Sequence, residues 1–139
     1  MFDLAQSLVL LLLGGMVFFP SVVAPVVFRS LAEAQAGAFL RAMFPRYYLY
    51  MIVLSLAASA LYQLSEGAVV SVPALVCLGV GLSTLWVRQG LLPRINAARD
   101  AQLAGDTNAG EAFDRGHRLS VAINMVQLVL LVVLIFVSS

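Results

Sequence analysis

Four side chains in the last apolar stretch of the chain have the types and spacing to do chemistry: His117, Ser120, Asn124 and Gln127. Steps of three, four and three residues put them on one narrow face of a helix that turns about 100° per residue. Val, Ala, Ile and Leu fill the opposite face. An imidazole, a hydroxyl and two carboxamides in one row can hold a polar ligand, conduct an ion, or bond to neighbouring helices. Interhelical bonds of this kind are worth about 0.6–2 kcal/mol each. Both a ligand or ion path and simple interhelical bonding therefore stay open. Asp114 lies one turn before His117, within i, i+3 reach, so His117 reads first as a solvated or hydrogen-bonded boundary residue.

Other candidates cluster around the same end of the chain's helices. Pro20 and Pro25 interrupt the backbone ladder of the first apolar run, where freed carbonyls need new partners. Asn96, Asp114, Arg46 and Arg118 add polar and charged groups nearby. Asp114 with Arg118, and Glu111 with Arg115, have i, i+4 spacing for helix-supporting ion pairs. The arginines also suit lipid phosphates. Enzymatic constellations are thin: no nucleophile sits beside a base, and no glycine-rich phosphate loop occurs. One His and one Cys, Cys77, cannot build a zinc site or an intrachain disulfide. No dense basic tract suggests nucleic acid. The expectation is a protein without a metal site, for which a binding role comes before a catalytic one and catalysis stays open.

These residues must be positioned by membrane helices. Hydrophobic residues make up 62% of the 139 and charged ones only 11%, against about 25% charged in soluble domains. Four charge-free runs, 4–28, 47–65, 67–87 and 119–138, each approach or exceed the roughly 20 residues that cross a bilayer core as helix. No period-two alternation supports strands. The fold class is all-α: one integral membrane domain, residues 1–139, forming a polytopic four-helix bundle. The first run carries Asp3 in place of a positive leader and exceeds a signal-peptide core, so it reads as a retained span. All eight basic residues are arginines, in or beside the first and third connections. The positive-inside rule then places loops 1 and 3 in the cytoplasm and both termini outside.

Short amphipathic cytoplasmic helices are expected in loops 1 and 3. In loop 1, Ser30 with Glu33 matches a capping box and Pro45 would stop the helix. In loop 3, helix-prone segments flank the turn "AGDTNAG". Tyr47, Tyr48 and Tyr50 are expected at headgroup level, and Gly14, Gly15, Gly79 and Gly81 at helix contacts. A weak internal echo aligns Pro25, Arg29 and "AEAQAGAF" with Pro93, "AARDAQLAG" and Phe113, the pattern of a parallel repeat.

The stretches "GGMVFFPSVVAPVVF", "AGAFLRAMFPRYY", "LLPRINAARD" and "FDRGHRLSVAINMVQLVLL" resemble the domain-of-unknown-function membrane family that includes transmembrane protein 205. The resemblance covers nearly the whole chain and implies four helices without an assigned catalytic residue. It would carry over Gly15, Phe19, Pro20, Pro25, Phe28, Phe44, Pro45, Asn96, Phe113, Asp114, His117, Ser120 and Asn124. More distantly, "FFP" and "RYY" are similar in order to HemJ-type oxidases and CopD-like proteins. Their implied haem-ligating histidine in the first helix has no counterpart, since Gln6 and Ser7 stand there.

Together these readings predict a multi-pass inner-membrane protein that binds or transports a small molecule, lipid or ion. A cytoplasm-facing polar vestibule would be walled by Pro20 and Pro25 on one side and His117, Ser120 and Asn124 on the other. The alternatives are a haem-binding or redox protein of HemJ-like type, and a membrane scaffold or assembly factor. Membrane lipids, an unknown small ligand and further copies of the chain are the expected partners.

Overall fold

The computed structural model describes residues 2–139. Four long helices account for most of them: α1 (Phe2–Ser30), α2 (Glu33–Glu66), α3 (Val72–Leu103) and α4 (Ala109–Ser138). All four are long and apolar enough to cross a membrane. At 1.5 Å per residue a 30-residue helix is about 45 Å long, which exceeds a hydrocarbon core of about 30 Å. The surplus is polar and collects at one end. All eight arginines lie there, on the C-terminal parts of α1 and α3 and the N-terminal parts of α2 and α4.

The amphipathic segments of loops 1 and 3 are not separate short helices. Glu33 opens α2, which runs unbroken through Pro45 to Glu66. Pro45 removes one backbone donor, that for the Arg41 carbonyl, but Arg41 is exposed and the next turn is held by the buried rings of Tyr47 and Tyr48. Ser30 is the last residue of α1 rather than a cap. Ala32 precedes α2, and no side chain caps it. On the third connection, α3 continues to Leu103, and residues 104–108 turn the chain through Gly105 at φ 105°. At the opposite end Gly67, at φ 68°, lets the chain leave α2. There Ser71 caps α3 by accepting from the Ala74 N–H at 3.2 Å, so α3 starts at Val72 and not at Gly67.

Proline acts on α1 and α3 through wider turns. Phe19–Val23 in α1 and Val87–Leu91 in α3 are π-helical, with the Ala24 N–H reaching the Phe19 carbonyl and the Leu92 N–H reaching that of Val87. Pro25 and Pro93 each follow two residues after such a turn. The positions paired by the sequence echo thus share a backbone irregularity.

The helices form an antiparallel ring in which α2 packs on α1 and α3, and α4 on α3 and α1. Leu12, Met16, Met51, Val80, Tyr62 and Leu131 are fully enclosed between them. Two glycines of the expected four stand at close contacts. A Cβ on Gly15 would lie 2.5 Å from the Tyr50 ring, and one on Gly81 would lie 2.6 Å from Leu56. Gly14 and Gly79 face open space instead. Gly116 in α4, missed from sequence, lets Ile95 come within 2.7 Å of where its Cβ would be. Most of the contact between α3 and α4 is made here, by Leu92–Leu103.

Candidate functional site

The polar row on α4 is real, but its members face different surroundings. Ser120 is buried and donates to the His117 carbonyl at 2.7 Å, a bond within its own helix. The Asn124 Oδ1 accepts from the Tyr47 hydroxyl at 3.0 Å, linking α4 to α2 across the ring. Gln127 lies on α3: its Nε2 donates to Ser83 Oγ at 2.7 Å, Thr84 Oγ1 at 3.0 Å and the Val80 carbonyl at 3.4 Å. His117 is exposed, and its ring stacks on Phe113 with centroids 6.0 Å apart. Arg99 covers Phe113 at 5.3 Å from the ring centroid.

The space expected to be a vestibule is occupied by rings. Phe19 stacks on Tyr47 at 4.8 Å and meets Phe44 edge-on at 5.5 Å, while Phe44 stacks on Tyr48 at 5.9 Å. Tyr47 and Tyr48 are therefore core residues, because their positions on α2 face inward between the helices. Tyr50 donates to the Leu11 carbonyl, tying α2 to α1. Pro25 and Asn96 are half-buried, whereas Pro20, Asp114, Arg46 and Arg118 are exposed. None of these six residues lines the hollow between α3 and α4 or the one beside Val22 and Phe39.

The charged end is organised by contacts between distant residues. Among the described residues neither Asp114 with Arg118 nor Glu111 with Arg115 forms an ion pair. Arg41 instead grips Asp100 with two bonds, of 2.6 and 2.8 Å, and Arg99 lies 3.7 Å from Glu33. The Arg41 guanidinium holds the Asp100 carboxyl below its ordinary pKa through that hydrogen-bonded pairing. Arg46 turns back to the Ala42 carbonyl, and Arg88 donates to the carbonyl of Pro45 at 3.0 Å. No group of three His, Cys, Asp or Glu side chains suited to a metal ion occurs among the described residues.

A hollow does open where α3 and α4 part at membrane depth. It is about 500 Å³ and faces sideways, lined by Leu75, Val76, Gly79, Val80, Ser83, Ala122, Ile123, Val126, Gln127 and Leu130. A second, mainly apolar hollow of about 360 Å³ is lined by Val22, Val23, Val26, Val27, Ser30, Leu31 and Phe39. Gln127 is the only candidate from the sequence that lines either. Its partners Ser83 and Thr84 were legible as adjacent hydroxyls in the apolar run "LGVGLSTLW", yet nothing local says that they face α4.

The orientation of the Gln127 carboxamide follows from its partners. The Ser83 hydroxyl donates to the Gly79 carbonyl at 2.7 Å and the Thr84 hydroxyl to that of Val80 at 2.7 Å. With each hydroxyl's one hydrogen on its helix carbonyl, both accept from Gln127, and the Val80 carbonyl, which has no hydrogen to give, also meets the NH₂. The amide oxygen then has no donor from the described residues. Tyr62 Oη is the sole fully enclosed side-chain polar atom left unpaired among them. The unpaired Gln127 oxygen, on a side chain 5% exposed, therefore keeps an opening, and the surface that Gln127 lines is the groove.

Comparison with curated proteins returns no match, and comparison with solved structures returns none. A family model, the domain of unknown function DUF4149, matches residues 8–103. The match runs from α1 to the end of α3 and so includes the Ser83 side of the groove, while Gln127 on α4 lies beyond it. With well over half of the chain matched, this four-helix membrane protein belongs to the DUF4149 family.

Proposed function

We propose that the protein binds a lipid-soluble small molecule, which enters sideways from the bilayer into the groove between α3 and α4. The arginine-bearing helix ends would face the cytoplasm, as the positive-inside rule requires. The observation that carries this reading is Gln127: a carboxamide at membrane depth that lines an open groove, with its nitrogen engaged and its oxygen without a donor from the described residues. A carboxamide serving only to join helices gains by engaging both ends, because no water is present to satisfy the other. A central polar path has less support, since Phe19, Phe44, Tyr47 and Tyr48 fill the inner half of the bundle. A haem-type reading would rest on His117, which is exposed and stacked on Phe113.

The test is a native mass spectrum of protein released gently from its membrane, beside that of Gln127→Leu. The wild type is expected to carry a small-molecule adduct that the variant loses. A bare wild type, with a Gln127→Leu variant that is folded and more resistant to unfolding, would reduce Gln127 to helix bonding and overturn the proposal. An adduct-free dimer dissociated by Gln127→Leu would overturn it too, by giving the groove to a second copy of the chain.

A further inference from the structure

The geometry points to a groove that selects its occupant for a hydrogen-bond donor: an O–H or N–H group on an otherwise apolar molecule, such as a long-chain alcohol, delivered to the amide oxygen of Gln127. This inference rests on the sideways-binding reading and names the chemical class that the site would take. Three facts carry it. Ser83 and Thr84 have their hydroxyl hydrogens on the Gly79 and Val80 carbonyls, so they fix the Gln127 nitrogen toward α3 and leave only an acceptor for a ligand. Gln127 is 5% exposed and its oxygen meets no donor from the described residues. Gly79 beside it leaves room, for a Cβ there would touch nothing within 4 Å.

Depth narrows the class further. Gln127 stands eight residues inside the apolar run that begins at Leu119, which is about 12 Å along a helix. That is close to the midplane of a core about 30 Å thick. A phospholipid headgroup, held at the membrane surface, does not reach that depth. Water is scarce there, so an unpaired amide oxygen discriminates between ligands that donate and those that only accept. An alcohol donates. Its methyl ether has nearly the same apolar body and cannot.

The experiment equilibrates detergent-solubilised protein with equal concentrations of 1-octadecanol and its methyl ether and reads the two adducts by native mass spectrometry. Intramembrane hydrogen bonds of the measured range translate into a preference of about three- to twenty-fold for the alcohol. In Gln127→Leu the preference should fall to about one. A second variant, Ser83→Ala with Thr84→Val, guards against misfolding of the first. It frees the carboxamide to rotate and offer its NH₂, so the ether should gain while total binding persists. Equal binding of alcohol and ether to the wild type would overturn donor selection and leave sideways binding standing. Binding of neither would overturn both.

Discussion

The bond between Tyr47 and Asn124 offers the sharpest test of how this bundle is held. It joins α2 to α4, which otherwise pack on α1 and α3 and not chiefly on each other. Tyr47→Phe removes only the hydroxyl, because the ring keeps its stack on Phe19 at 4.8 Å. Asn124→Leu removes the acceptor and leaves the Tyr47 hydroxyl unpaired. Hydrogen bonds between membrane helices average about 0.6 kcal/mol and reach about 1.7 kcal/mol in double-mutant cycles. Tyr47 is buried and the 3.0 Å geometry is good, so the coupling between the two substitutions is expected within that range. Unfolding of the micellar protein by rising dodecyl sulfate, followed by circular dichroism, gives stabilities for the wild type, both single variants and the double variant. Substitutions that do not interact add to within about 0.3 kcal/mol. A coupling below that value would refute the assignment of this bond as an interhelical tie.

Glycine contacts give a paired prediction by the same assay. Gly15→Ala and Gly81→Ala should each lose about 1–3 kcal/mol from overpacking against Tyr50 and Leu56, while Gly14→Ala and Gly79→Ala should stay within about 0.5 kcal/mol of the wild type. The Arg41–Asp100 pair predicts an acid limb. The Asp100 carboxyl has its pKa lowered by Arg41, so the stabilisation is fully present above the unfolded carboxyl's ordinary value near 3.9. It is lost as pH falls through the lowered folded value; both groups are exposed, so the effect is small. Asp100→Asn should flatten that part of the stability–pH curve, and an unchanged curve would count against the pairing. For orientation, a cysteine in place of Val70 should react with a membrane-impermeant maleimide on intact cells, and one in place of Asp106 should be protected. The reverse pattern would invert the topology.

Helix number and class were legible because membrane spans announce themselves through uninterrupted apolarity, and here charge brackets each one. Helix ends are less legible. Pro45 and the Ser30–Glu33 pair look like local stop and start signals, but inward rings at Tyr47 and Tyr48 carry α2 through the proline. Local capping rules lose to tertiary burial at such a point. The inward row of Ser120, Asn124 and Gln127 followed directly from helical spacing, whereas His117 sits where the row leaves the bundle. What spacing could not supply was the partner on the other helix. Tyr47 for Asn124, and Ser83 and Thr84 for Gln127, are separated by 77, 44 and 43 residues. Two glycines of four were misplaced for the same reason, since a sequence states that a contact is permitted and not that it is made.

The groove follows from how α4 is held. At the charged end α4 is drawn against α3, because Gly116 admits Ile95 and Arg99 lies over Phe113. On the other side Tyr47 reaches across from α2 to fix Asn124. Deeper in the membrane the contact between α3 and α4 thins, Gly79 provides no side chain, and the gap is bridged mainly by Gln127. Two restraints at one end and a long carboxamide in the middle thus leave a wedge that opens to lipid. A Cβ at position 79 would meet nothing within 4 Å, so the wedge is open at that point and not sealed by packing. The polar row therefore divides by depth. Ser120 is engaged within α4 and Asn124 holds α4 to α2. Gln127, with one end held and the other open, is the rung whose chemistry is still available.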